Sequence, residues 1–423
     1  MSHFFSDQSL LIRYYLYRAT MSVGFITPIF TLFLLRSLTY TQFAVLSSLY
    51  SVLAVVSEVP TGYVSDRLGR RASLLLSVAF TVSSVAGFVI TNGFVPYACL
   101  YALWALALTF RSGSIDAWLY DILGERSDAD QFSRVRGRGD AIQNWTAAIS
   151  MVGGGLLYGI EPTYPFIAAA VFNSVGFVAL LSLPKNSQYA EGGTADRPGP
   201  LAAFSVIRDH LVRPSLWSLV VYIGLFYAVV GVAQGYIQPM VIETVAPAVT
   251  AFGVDLPQGP TAARTGQAGP TLAFGVGVLS AALTAVAALG GYYAGRIENR
   301  FGVRRAVVGV SMITAAMLVV PLWVGVVALP TFAAMRTSMP ILKPIANGYI
   351  NDHTQTVGRA TTLSVVSMGY MALRTPLSLG TGVVADATTA TTAVAALGVL
   401  FLAGGSTVWL FGSVAPKSNR YRN

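Results

Sequence analysis

Twelve stretches of about twenty apolar residues run through this chain, each long enough to carry an α-helix across the hydrocarbon of a bilayer. They fall near 14–35, 39–61, 72–91, 97–120, 141–160, 164–183, 214–240, 271–294, 305–323, 326–349, 361–385 and 391–413. Inside lipid every backbone N–H and C=O must be bonded within the protein, and an unbroken apolar run of this length does so as a helix. The chain is 54% hydrophobic and 11% charged, where a soluble domain carries about 25% charged residues. Mean hydropathy is +0.62. The expectation is an all-α integral membrane protein.

The polar breaks set its orientation. With the amino terminus inside, 21 of the 27 Lys and Arg residues lie in or beside cytoplasmic segments, among them Arg134, Arg136, Arg138, Arg304, Arg305 and the tail Lys417, Arg420 and Arg422. Only Arg36 and Arg264 fall outside, and Arg111, Arg336, Lys343 and Arg374 fall within spans. Cytoplasmic loops collect basic residues, so both termini are expected to be cytoplasmic. The segment MSHFFSDQSL holds an Asp and no small-residue cleavage pattern, so the first span is expected to remain as an anchor. The net charge of +9 sits in short loops between apolar spans and does not imply nucleic acid. Cys99 lies in an apolar run and has no second cysteine to bond.

The charged connector GYVSDRLGRR, Gly62 to Arg71, returns as GRIENRFGVRR, Gly295 to Arg305. A shift of 233 residues lays Gly62, Arg67 and Gly69 on Gly295, Arg300 and Gly302. Two copies half a chain apart imply two similar halves. The stretch 184–213, with SQYAEGGTADRPGP, reads as a cytoplasmic linker between bundles at 1–183 and 214–423.

Twelve spans in two halves, with GxxxDRxGRR between spans two and three, resemble the major facilitator superfamily over essentially the whole chain. The lead-in SEVPTG, Ser57 to Gly62, is similar to the branch with Glu-(Ile/Val)-Pro-Thr-Gly, as is the pairing of GRATTLS, Gly358 to Ser364, with GVVAD, Gly382 to Asp386. The resemblance implies two pseudo-symmetric six-helix bundles working by alternating access. It also implies a cytoplasmic latch made of Gly62, Asp66, Arg67, Gly69, Arg70 and Arg71, with Asp121 as partner. In the second loop Asn299 replaces the carboxylate and Val303 is inserted, so the latch is expected mainly in the first half. The fourth-span arginine motif is displaced, with Thr109 where its Arg would stand and Arg111 nearby. Span five carries Gly153, Gly154 and Gly155 without the Gly-Pro pair of drug/proton antiporters; these glycines suit close helix packing.

Ionisable groups within spans are costly and mark candidate sites. Pro340, Lys343 and Asn347 stay within about 40° of Arg336 on one face of span ten. Tyr370 and Arg374 lie in a similar stripe on span eleven, and Gln234 and Gln238 in one on span seven. On span four, Arg111 and Asp116 lie about 140° apart, so they are expected to point to different faces and not to pair with each other. Arg111, Arg336, Lys343, Arg374, Tyr370, Gln234 and Gln238 are the expected substrate-binding set. The surplus of cations suits an anionic group, which Arg grips through two parallel hydrogen bonds. Glu58 and Asp116 are candidate proton carriers.

The residues therefore point to a secondary transporter of a small organic solute in the cell membrane, coupled to protons or another ion, with efflux as one direction. An uptake symporter or uniporter for an organic anion remains an alternative, as does a sensor that keeps the fold without transport. An enzyme is not expected: His3, His210 and His353 all lie outside spans, and neither HExxH nor GxSxG occurs. No Walker motif supports ATP drive. No cofactor, metal or nucleic-acid partner is expected; the partners are solute, coupling ion and lipid, and the chain is expected to act as a monomer.

Overall fold

The computed structural model describes residues 2–125, 131–184, 214–353 and 359–411. The expected linker from 185 onward and the basic tail from 412 lie outside them. So do the side chains of Asp66 and of 359–368, which carry most of GRATTLS.

Every regular element among the described residues is helical. The main helices are α1 (Ser2–Thr20), α2 (Phe30–Leu35), α3 (Tyr40–Leu68), α4 (Arg70–Ile90), α5 (Phe94–Arg111), α6 (Ser114–Glu125), α7 (Phe132–Ile160), α8 (Tyr164–Leu181), α9 (Pro214–Ala233), α10 (Pro270–Val319), α11 (Ala328–His353), α12 (Arg359–Ala387) and α13 (Ala390–Phe411); between α9 and α10 the chain continues in short helical pieces, among them Ile237–Met240, Ala246–Thr250 and Gly259–Arg264. Eight stretches of the described residues are long and apolar enough to cross a membrane. One of them, Pro270–Leu322, contains the eighth and ninth expected spans. Expected spans one and five are not among them: span one is broken between α1 and α2, and span five opens on the polar first turns of α7.

The repeat in sequence is a repeat in backbone. Gly69 separates α3 from α4 at φ 87° and ψ 153°, and Gly302 divides α10 at φ 75° and ψ 158°. These two positions match under the 233-residue shift. This corner of φ/ψ space is open essentially to glycine alone, which explains why each charged connector needs one there.

Span four departs from its expected form. It is two helices, α5 and α6, parted at Ser112–Gly113 with Gly113 at φ 71°. A left-handed residue ends one helix and re-aims the next. Arg111 and Asp116 therefore stand on different helices, and the 140° separation of a single helix does not describe them.

The contacts define two compact units: Met1–Leu38, Leu49–Asp196 and Ala268–Ala282 form one, and Thr39–Ser48, Arg197–Gln267 and Leu283–Asn423 the other. In the first, Tyr14, Tyr17, Leu74, Trp118 and Leu119 are buried together, with Tyr14 stacked on Trp118 at 6.1 Å. Phe33, Phe88, Tyr97 and Phe166 form a second aromatic cluster. The α7 glycines let backbones meet: a Cβ at Gly154 would overlap the Phe25 backbone, and one at Gly155 the Ala273 carbonyl.

In the second unit Tyr222 and Phe226 of α9 pack on Phe401 at 5.3 and 5.2 Å. Two carboxylates cap helices here. Asp386 accepts the backbone N–H groups of Tyr40 and Thr41 at 2.9 and 2.8 Å. Glu243 accepts those of Ala390 and Thr391 at 2.9 and 2.8 Å, and the Thr391 hydroxyl at 2.7 Å. Each satisfies N–H groups that a helix start leaves without intrahelical partners.

Candidate substrate cavity

A cavity of about 180 Å³ lies wholly within the first unit. One wall is the turn-rich stretch after α1, with Met21, Ser22, Val23, Gly24 and Thr27. Non-helical backbone at membrane depth is tolerated where it is buried or lines a cavity, and this break does the latter. The second wall is α5, where Trp104, Leu108 and Arg111 follow at helical spacing. The third is α7, which presents Gln143, Ala147 and Met151 on one face, with Asn144 beside them.

Arg111 is the only charged residue in this lining. It is the last residue of α5, where the helix carbonyls carry partial negative charge and favour a cation. Among the described residues its guanidinium forms no ion pair and no hydrogen bond, and the Gln143 and Asn144 amides have no hydrogen-bond partner either. An arginine inside a membrane without a counter-charge is costly, and the cavity beside it has room for one. Trp104, Gln143, Asn144 and Thr27 were not singled out by sequence reasoning. The pair Gln143–Asn144 early in an apolar span, and a Trp seven residues before an in-span Arg, were the available signals.

The other expected residues lie elsewhere. Asp116 accepts a hydrogen bond from Arg136 Nε at 2.7 Å, with both side chains about half exposed. That bond raises the Arg136 pKa above its ordinary value, against a smaller opposing push from burial. Glu58 is exposed. In the first connector, Arg70 pairs with Asp121 at 2.9 Å. Arg71 donates to the Leu180 carbonyl at 3.2 Å and to that of Leu181, and Arg67 sits 4.4 Å over the Tyr63 ring. Gly62 is open to solvent.

In the second unit α9, α11 and α12 bring several expected residues to one seam. Gln234 donates to the Met335 carbonyl at 2.9 Å, next to Arg336. Tyr370 meets Tyr227 edge-on at 6.3 Å. Arg336 and Arg374 are partly buried, and Arg336 Nε has no hydrogen-bond partner among the described residues. Lys343 is exposed and Gln238 partly buried.

Broken spans around a polar cavity are an arrangement that transporters share. The profile of the Major Facilitator Superfamily matches residues 19–276, and the chain belongs to that family. It is 25% identical to the class G tetracycline resistance protein of Vibrio anguillarum, over 83% of this chain and 84% of that one. It is 23% identical to the MFS-type transporter YxaM of Bacillus subtilis (strain 168), over 41% of this chain and 43% of the relative. The chain thus spans under half the length of YxaM. The solved nucleoside transporter NupG superposes with a TM-score of 0.73 at 10% identity, covering 96% of this chain and 99% of that one. A D-xylose-proton symporter gives 0.63 at 14% identity, covering 96% and 98%. The fold is that of the superfamily, and that family is one of transporters, not enzymes.

Proposed function

We propose that this transporter moves a small organic solute across the cell membrane by alternating access, and that the solute docks through an anionic group on Arg111. The observation that carries this reading is an in-membrane arginine without a counter-charge among the described residues, lining a cavity that holds no acid. Two amides beside it supply donors and acceptors for orientation. The drive is an ion gradient, with protons the first candidate. The protein acts as a monomer with both termini in the cytoplasm. The connector, with its Arg70–Asp121 pair, serves as the cytoplasmic latch.

Similarity to a tetracycline resistance protein over most of the chain favours a second reading, in which the direction is export. The test is flux in proteoliposomes under an imposed pH difference, using a panel of anionic, neutral and cationic solutes. Saturable movement of anionic solutes that is lost in Arg111→Gln supports the proposal. Transport that prefers cations and survives Arg111→Gln defeats it.

A further inference from the structure

We propose that the cavity selects an arylalkyl carboxylate, a small molecule with a carboxylate at one end and a flat aromatic ring at the other. This rests on the reading of the cavity as the solute site. Arg111 and Trp104 are seven residues apart on α5 and so lie on one face, about 10 Å apart along the axis. Both side chains lean toward the amino terminus, and only the longer reach of Arg111 narrows that gap. Trp104 is held edge-on by Phe30 at 5.3 Å and leans against Tyr101 at 6.5 Å, so its ring is a fixed wall.

A fork that binds carboxylate in its plane and an indole that binds a ring edge or face set the two ends of a ligand. The separation suits two or three bonds between them. Size agrees. A cavity of about 150 Å³ takes up a benzene ring, so 180 Å³ leaves space for a ring with a short acid-bearing tail. The Gln143 and Asn144 amides line the same cavity from α7 and supply donors for the carboxylate oxygens left over by Arg111.

The experiment measures binding of three probes to the purified full-length protein in detergent, by calorimetry and by thermal shift. The probes are phenylpropanoate, its amine counterpart phenylpropylamine, and its saturated counterpart cyclohexylpropanoate. Phenylpropanoate is expected to bind saturably and the amine not at all. The saturated acid should bind about 2- to 12-fold more weakly, the range of an aromatic pair. Arg111→Gln should weaken phenylpropanoate by about 10- to 150-fold, as for hydrogen bonds to a charged group, with partial recovery in Arg111→Lys. Trp104→Leu should erase the preference for the aromatic ring.

Equal binding of acid and amine, equal binding of the two acids, or no binding of phenylpropanoate would each overturn the inference. Should Arg111→Gln not fold, the contrast of acid and amine on the unmodified protein still decides. Ala147→Trp fills the cavity and separates the two levels of failure. If the amine binds and Ala147→Trp abolishes it, the ligand class is wrong and the cavity stands. If phenylpropanoate binds equally well to Ala147→Trp, the cavity itself is the wrong site and both readings fall.

Discussion

Replacing Asp386 by Asn should loosen the start of α3 and leave the rest of that helix intact. Both carboxylate oxygens of Asp386 accept N–H groups from Tyr40 and Thr41, at 2.9 and 2.8 Å. Asparagine keeps one acceptor and turns an NH₂ group toward the other N–H. Loss of a capping acceptor costs about 0.5–2 kcal/mol. Loss of the negative charge facing the positive end of the helix adds about 0.3–1 kcal/mol. Because asparagine keeps one acceptor, the net change stays in the lower part of that sum, about 1–2 kcal/mol, which corresponds to a factor of about 5–30 in the opening equilibrium.

The same stretch is held by two weaker bonds, from Ser378 to the Ala44 carbonyl and from Ser48 to the Thr375 carbonyl, both at 3.3 Å. A Cβ at Gly382 would also crowd Ala44 and Tyr40. The disturbance should therefore stay within residues 39–48. Hydrogen exchange followed by mass spectrometry on a peptide covering these residues is the assay, because amide exchange reports local opening. Exchange there should speed up about 5- to 30-fold, with α13 unchanged. Glu243→Gln is the matched control and should speed exchange at 390–392 instead. Unchanged exchange at 39–48 in Asp386→Asn would show that the cap contributes nothing and that the neighbouring contacts alone hold the seam.

Three further outcomes are expected. A cysteine at Gly259, in a background lacking Cys99, should react with an impermeant maleimide in intact cells, and one near Arg134 should not; the reverse pattern would invert the orientation. A double-mutant cycle on Asp116 and Arg136 should give a coupling below about 1 kcal/mol, because both side chains are about half exposed to screening solvent; a coupling above about 2 kcal/mol would show a desolvated pair. Asp121→Asn removes one carboxylate from a mostly buried Arg70 and should reduce proteoliposome flux more than Asn299→Ala does; equal losses would reject the asymmetric latch.

Much of this protein is legible in one dimension because membrane insertion is a local matter. Twenty apolar residues cross a bilayer whatever their neighbours are, so the helical spans can be counted from the sequence. Glycine at a positive φ is likewise a local demand, and the repeat that aligns Gly69 with Gly302 in sequence is met by two matching corners in the backbone. Arg111 stood out for the same reason, since a charge in an apolar run is conspicuous without any knowledge of its surroundings.

Other features needed the folded chain. Hydropathy averages across the Ser112–Gly113 break, so α5 and α6 read as one helix and Asp116 was oriented by the wrong geometry. Its partner Arg136 lies 20 positions away on another helix. The cap formed by Asp386 joins residues 346 positions apart. Trp104, Gln143 and Asn144 are unremarkable on their own helices and become a cavity only when α5, α7 and the turns after α1 meet. The sequence by itself determined the spans, the basic connectors and the family, because each follows from short-range chemistry. Which charges are paired, which helices break, and which polar groups share a cavity were decided only by tertiary contact, because those properties belong to pairs of residues that the chain order keeps apart.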